Sequence, residues 1–338
     1  MNFYTKLIFI SCILVGTPMM LGGESVSTDE LLRQLFVLRG KEYVAARDEL
    51  LTHKDIVASV ATIRKGAKDW RFLILLDALL YRLHNPELAP LVDYYLAPNL
   101  FKTQLGTSGG PRLGEGAVIL CCGQEGFPII AEGLLFSHVL VPLSAIAAIS
   151  DLHDLRSLDV LTYLIQDADS STAVRAISVN YLGDIYRGMP TEPIRSNEPM
   201  IIDMHMAKAP ELRNFYKERE FPKVDVDEAK QKSIVAMFEH LLLSDPDRQI
   251  RTTAAMSLKH ASDSVKCLVE ALSKDNDPWV RAWCVMSLRE IGGEKAQEAL
   301  TEVLKIEKHE EVKAVLENKA TPLSPYIRVP LKSILRKW

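Results

Sequence analysis

Most of the residue patterns that would reveal a chemistry are missing from this 338-residue chain. Its five cysteines include no Cys-x-x-Cys spacing, which argues against a structural zinc site. Its eight histidines include no two placed four residues apart, so no helix face offers a pair of imidazoles to a metal. His309-Glu310 is the lone His-Glu dipeptide. Cys121 and Cys122 are adjacent and have no nearby histidine to activate them. No catalytic, cofactor-binding or metal-binding residue is therefore assigned, and no cofactor is expected. A basic excess is also lacking: the formal net charge is −4 and the pI near 6.1, so no global field recruits nucleic acid. Aromatic residues are only 7%, which suits packing between small helices by Ala and Leu.

What is present falls into segments. Lys6 precedes an apolar run from Leu7 to Val15, broken by Gly16-Thr17-Pro18 and followed by Gly22-Gly23. That is the order of a secretory signal peptide over residues 1–23, and the run is too short to span a bilayer. Export to a periplasmic, secreted or cell-envelope location is expected, with no transmembrane span in the mature chain. A rival reading makes Cys12 a lipidated residue after Phe9-Ile10-Ser11, which loosely resembles a lipobox and would anchor the chain as a lipoprotein.

Residues 24–97 read as paired helices. Ser27 and Glu30 stand at capping-box spacing, Trp70 to Leu83 is strongly apolar, and Asn85-Pro86 breaks it. Residues 98–116 form a Gly-rich loop that lacks a phosphate-loop Gly-Lys-Ser/Thr pattern. Helical units resume over 117–186. A Pro-rich insertion with Pro190, Pro193, Pro199, Pro210 and Pro222 occupies 187–227, and its apolar residues, Phe215 and Tyr216 among them, predict that it folds back on the array. Regular units fill 228–320. The tail, 321–338, carries Arg328, Lys332, Arg336 and Lys337 and offers a second, weak route to a membrane surface.

The most informative stretch is 245–304. Asp-Pro-Asp-Arg-Gln-Ile-Arg from Asp245 to Arg251 returns as Asp-Asn-Asp-Pro-Trp-Val-Arg from Asp275 to Arg281, and Leu258 and Leu288 keep the same offset of about thirty residues. Asp169 to Arg175 is a third copy. In this phase Arg175 opens a unit whose second helix is delayed until Glu228, so the insertion splits one repeat. The acidic residues suit capping, and Arg175, Arg251 and Arg281 share one face, able to bond loop carboxylates or helix-terminal carbonyls. Trp279 and Trp283 stand where the neighbouring unit has Gln249 and Thr253, which marks either an accessible aromatic patch or a surface packed under the Pro-rich insertion.

The Asp-x-Asp-Pro-x-Val-Arg pattern, followed by a second Leu-rich helix, resembles HEAT repeats of the bilin-lyase type. The resemblance implies an all-α, right-handed α-solenoid, armadillo-like, with two long loop insertions. It is silent on function, because such arrays serve mainly as scaffolds. The expected function is an exported, non-catalytic scaffold that binds another protein through its concave face and the 187–227 insertion. Trp279, Trp283, Phe215 and Tyr216 are the candidate contact residues, and Arg175, Arg251, Arg281, Asp245 and Asp275 the structural positions of the repeat. The alternative is a HEAT-framed enzyme, a lyase or metal-dependent hydroxylase, with a site completed by the 98–116 and 187–227 loops.

Overall fold

The computed structural model describes residues 27–96, 121–136, 143–152, 154–186, 210–216 and 225–322, with short pieces at 20–21, 24–25 and 118. The expected signal peptide, the lipobox cysteine Cys12, the Gly-rich loop, most of the insertion and the basic tail lie outside these residues. The fold is all-α in character and HEAT/armadillo-like, with one exception among the described residues. Strands β1 (Met20–Leu21) and β2 (Glu24–Ser25) pair antiparallel, Met20 opposite Ser25, across the junction expected for cleavage. The chain divides into two compact units, one of Met1–Asp154 with Glu192–Pro222 and one of Leu155–Thr191 with Lys223–Trp338.

The first unit contains α1 (Thr28–Leu35), α2 (Gly40–Leu50), α3 (Ile56–Gly66), α4 (Trp70–His84), α5 (Leu88–Leu96), α6 (Phe127–Phe136) and α7 (Leu143–Asp151). Local chemistry sets the starts of these helices. Ser27 Oγ accepts from the Glu30 amide at 3.3 Å, and Asp69 Oδ1 accepts from the Arg71 and Phe72 amides at 2.9 and 3.4 Å, satisfying orphan donors. Glu30 does not complete the box; its carboxylate takes Gln34 Nε2 instead. α4 packs most extensively on α6, and Leu75, Leu76, Ala78 and Leu79 are fully buried. Phe136 closes the core, stacked on Tyr43 with centroids 5.2 Å apart and capped by the Arg39 guanidinium at 5.0 Å.

The second unit is built from four antiparallel helix pairs. They are α8 (Arg156–Gln166) with α9 (Thr172–Ile185), α10 (Glu228–Ser244) with α11 (Arg248–Ser257), α12 (Val265–Lys274) with α13 (Pro278–Ile291), and α14 (Glu294–Ile306) with α15 (Glu310–Leu316). α9, α11, α13 and α15 follow one another in one layer, and α10, α12 and α14 follow in the other. In the α10–α11 and α12–α13 pairs the connecting loop is acidic and its second aspartate caps the next helix: Asp247 Oδ1 takes the Gln249 amide and Asp277 Oδ1 the Trp279 amide, both at 2.8 Å; α9 is capped instead by Ser171, whose Oγ takes the Val174 amide. Pro278 fits the first turn of α13, where its missing N–H costs nothing, and Gly292 and Gly293, at φ 68° and 81°, end that helix.

This pairing corrects the phase read from sequence. The Arg-bearing helix is the second member of its pair, joined to the helix before it by the acidic loop. The insertion thus separates the α8–α9 pair from the α10–α11 pair and does not split a repeat. The physical reason lies in the arginine, which reaches back to carbonyls at the end of the preceding helix.

The arginine-bearing layer is held by close backbone approach. Ser257 Oγ donates to the Val179 carbonyl at 3.2 Å, and Ser287 Oγ to the Ala255 carbonyl at 2.7 Å, both buried. A Cβ on Gly183 would lie 2.4 Å from Ser257 Oγ and 3.3 Å from its Cα, so glycine is what lets α9 and α11 meet there.

Candidate interaction surface and charge networks

Three arginines at one repeat position form a ladder along the second unit. Arg251 grips Asp275 through Nε–Oδ2 at 2.7 Å and Nη2–Oδ1 at 3.1 Å, while Nη1 donates to the carbonyls of Asp245 and Pro246. Arg281 repeats the fork on Glu307 at 2.9 and 3.0 Å and donates to the Asp275 carbonyl at 2.9 Å. Arg175 pairs with Asp245 and donates from Nε to the Ile165 carbonyl. Each arginine therefore caps its own pair and holds the carboxylate of the next. Asp245 and Asp275 also take the Asp247 and Asp277 amides at 2.9 and 2.8 Å. Burial pushes the Glu307 carboxyl up, but Arg281 and the His309 and Lys308 amides outweigh it and hold it below the ordinary value. All the partners of this ladder lie inside the protein, so it is a stacking device.

Trp279 and Trp283 lie on one face of α13. Val280, Cys284, Val285, Ser287 and Leu288 of that helix are buried, whereas Trp279, Trp283 and Met286 are half-buried and Glu290 is exposed. Their spacing of four, three and four residues makes one stripe on the side opposite the core. The Trp283 indole Nε1 is shielded from solvent and has no acceptor, unusual for a group that generally finds one when buried. Phe215 and Tyr216 are half-buried at the end of a 3-10 turn, Pro210–Phe215, in the other unit. In that turn Leu212 is fully buried, and its carbonyl receives the Cys121 thiol at 3.1 Å.

Sequence reasoning missed a buried charge network in the first unit. Glu132, on α6, is wholly buried and accepts from Tyr43 Oη at 2.5 Å, from Arg82 Nη2 and Nε at 2.7 and 3.0 Å, and from Arg47 Nη1 at 3.5 Å. Arg82 also forks onto Asp93 at 2.8 and 2.9 Å, and Arg47 Nη2 reaches Asp93 at 3.3 Å. Burial opposes the Arg82 charge, yet Glu132 and Asp93 more than offset it and hold its pKa above the ordinary arginine value. Burial and the Glu132 charge push the Tyr43 phenol well up, so it is a neutral donor at any working pH. Arg47 Nε also reaches Asp48 at 2.8 Å, so two cations face three carboxylates, and the network ties α2, α4, α5 and α6 together. The arrangement has no free nucleophile or base.

Cys121, Cys122, Cys267 and Cys284 are all buried. Among the described residues no group of three His, Cys, Asp or Glu side chains is placed to hold a metal ion, and no helix is long and apolar enough to cross a membrane. His309, which had the lone His-Glu dipeptide, instead gives its amide to Glu307 Oε1 at 2.8 Å. The 106–110 stretch, Gly-Thr-Ser-Gly-Gly, has Gly-x-Ser-x-Gly spacing and lies outside the described residues.

Residues 235–318, from α10 through the end of α15, match the family model of HEAT repeats. No curated protein matches the chain.

Proposed function

We propose that this protein is a non-catalytic scaffold that binds another protein through the layer formed by α9, α11 and α13, with Trp279 and Trp283 at the centre of the contact. The observation that carries the reading is the Trp279–Trp283–Met286 stripe on the outward side of α13. The exposed part of these half-buried side chains is apolar surface that gains when a partner covers it. The arginine ladder ties the helix pairs of that unit together beneath the face. The Asp-x-Asp-Pro-x-Val-Arg spacing supports the bilin-lyase type of repeat as the finer assignment.

Export belongs to the same proposal: residues 1–23 act as a cleaved leader, and the scaffold works outside the cytoplasm, with the insertion at 187–227 adjusting recognition. Site-specific photo-crosslinking tests the face. A benzophenone side chain at position 283 captures a protein in the native host, whereas one at Gln297, exposed on α14 in the other layer, does not. Equal capture at both positions refutes the assignment. N-terminal sequencing of the mature chain tests export, and an intact Met1 on the functional protein refutes it.

A further inference from the structure

The layer of α10, α12 and α14 ends on an apolar position left open. Phe238, Leu241 and Leu242 of α10 are buried, and Leu268, Ala271 and Leu272 of α12 take the same places about thirty residues later. Leu300, Val303 and Leu304 of α14 are next in that series. Leu242 and Leu272 are 0% and 1% exposed, each on a helix that another follows in the layer, whereas Leu304 is 37% exposed. Among the described residues no helix follows α14 in its layer. The layer of α9, α11, α13 and α15 finishes differently. There Glu317, exposed, stands where Ala255 and Val285 are fully buried, so a polar residue closes it.

The series continues in sequence past Pro322. Leu331, Ile334 and Leu335 repeat the spacing of Leu300, Val303 and Leu304 about thirty residues on, directly after Pro330, a residue suited to the first turn of a helix. At helical spacing these three share one face, and Lys332, Ser333, Arg336 and Lys337 take the other. From Thr321 onward the chain has basic side chains and no acidic one. Glu294 and Glu298 of α14 and Glu311 of α15 are exposed and make no ion pair.

We propose that residues 330–338 form the last helix of this layer and lay Leu331, Ile334 and Leu335 over Leu304, so that the chain caps the end of its own array. Covering these aliphatic side chains favours docking, and a basic segment against an acidic end face adds long-range attraction. The reach is ample: α15 rises only about 10 Å over its 7 residues, and the stretch from Glu317 to Val329 extends at about 3.3 Å per residue. A docked tail withholds its apolar face from a membrane surface, the rival destination of a basic segment with this pattern.

Hydrogen exchange read by mass spectrometry on the full chain tests the cap. The amides of 331–338 should exchange at least tenfold more slowly than their intrinsic rates, at every protein concentration. Leu304→Asp and Leu335→Asp should each restore near-intrinsic exchange there, with protection in α12 unchanged, which shows that the array stays folded. Ser333→Asp, on the opposite side of the tail helix, should keep the protection. If Leu304→Asp also exposes α12, Leu335→Asp decides alone, since it changes no residue of the described core. Unprotected tail amides in the unmodified chain overturn the proposal, as does protection that survives Leu335→Asp. Protection that grows with protein concentration assigns the tail to a second copy, and protection that appears only with phosphatidylglycerol vesicles assigns it to a membrane. Either result overturns the cap.

Discussion

Replacing Glu132 by Gln isolates the charge of the buried network. The substitution keeps the size of the side chain and one carbonyl oxygen, so Tyr43 can still donate. What it removes is the negative charge that faces Arg82 at 2.7 and 3.0 Å and Arg47 at 3.5 Å. The two arginine side chains are only 6% and 7% exposed, and Asp93, at 38%, becomes their sole shared counter-ion. Removing one partner of a buried ion pair costs about 3–5 kcal/mol, because the other charge stays desolvated. For a unit of this size each kcal/mol lowers the melting temperature by about 2–4 °C, so the expected fall is about 6–20 °C. Differential scanning calorimetry on the full chain, with urea unfolding followed by circular dichroism, measures it. The companion pair Glu132→Leu and Glu132→Leu/Arg82→Met separates charge from packing. The double variant should recover more than half of the loss seen in the single one, since it removes a guanidinium that would otherwise be stranded. A cost below about 1 kcal/mol for Glu132→Gln, or simple additivity in the double variant, refutes the reasoning.

Other substitutions probe the second unit and the thiols. Gly183→Ala should destabilise by about 1–3 kcal/mol because its Cβ meets Ser257 at 2.4 Å, whereas Gly133→Ala, with nothing within 4 Å, should stabilise by about 0.5–1 kcal/mol; the same sign for both in urea melts rejects the close-approach argument. Burial first, with Glu239 and Glu270, raises the Cys267 thiol to about 12, so iodoacetamide labelling at pH 8 should be on the order of a thousandfold slower than for a thiol at the ordinary value, and fast labelling contradicts its burial. Because the folded Glu307 carboxyl lies below its ordinary value, its stabilisation is present above about pH 4.3 and disappears as the pH falls through the folded value. Arg281→Met should flatten that acid dependence in pH-jump melts, and an unchanged profile rejects the pairing as its source.

The ladder was legible because its parts are local and repeated: Asp245, Asp275, Arg251 and Arg281 recur at a fixed period, and the three arginines do bind loop carboxylates and helix-end carbonyls. Glu307 escaped notice because its loop lacks the Asp-x-Asp and the proline of its counterparts. The buried network had only a faint signal, a glutamate inside the apolar run of α6 and an arginine near the end of apolar α4. Tyr43 lies 89 residues from Glu132, and no periodicity links positions that far apart. Trp279 and Trp283 were legible as a departure from the neighbouring repeat, where Gln249 and Thr253 stand.

By itself the sequence determined where helices begin and end, that they recur about every thirty residues, and which residue types fill each position. Caps, glycine stops and helix periodicity act within a few residues, so no tertiary information is needed to read them. Only the tertiary structure decided which helix pairs with which, and so placed the insertion between pairs. It also decided which charges are desolvated and matched. Those outcomes depend on distances between segments far apart in the chain, where burial turns a weak surface attraction into a strong constraint.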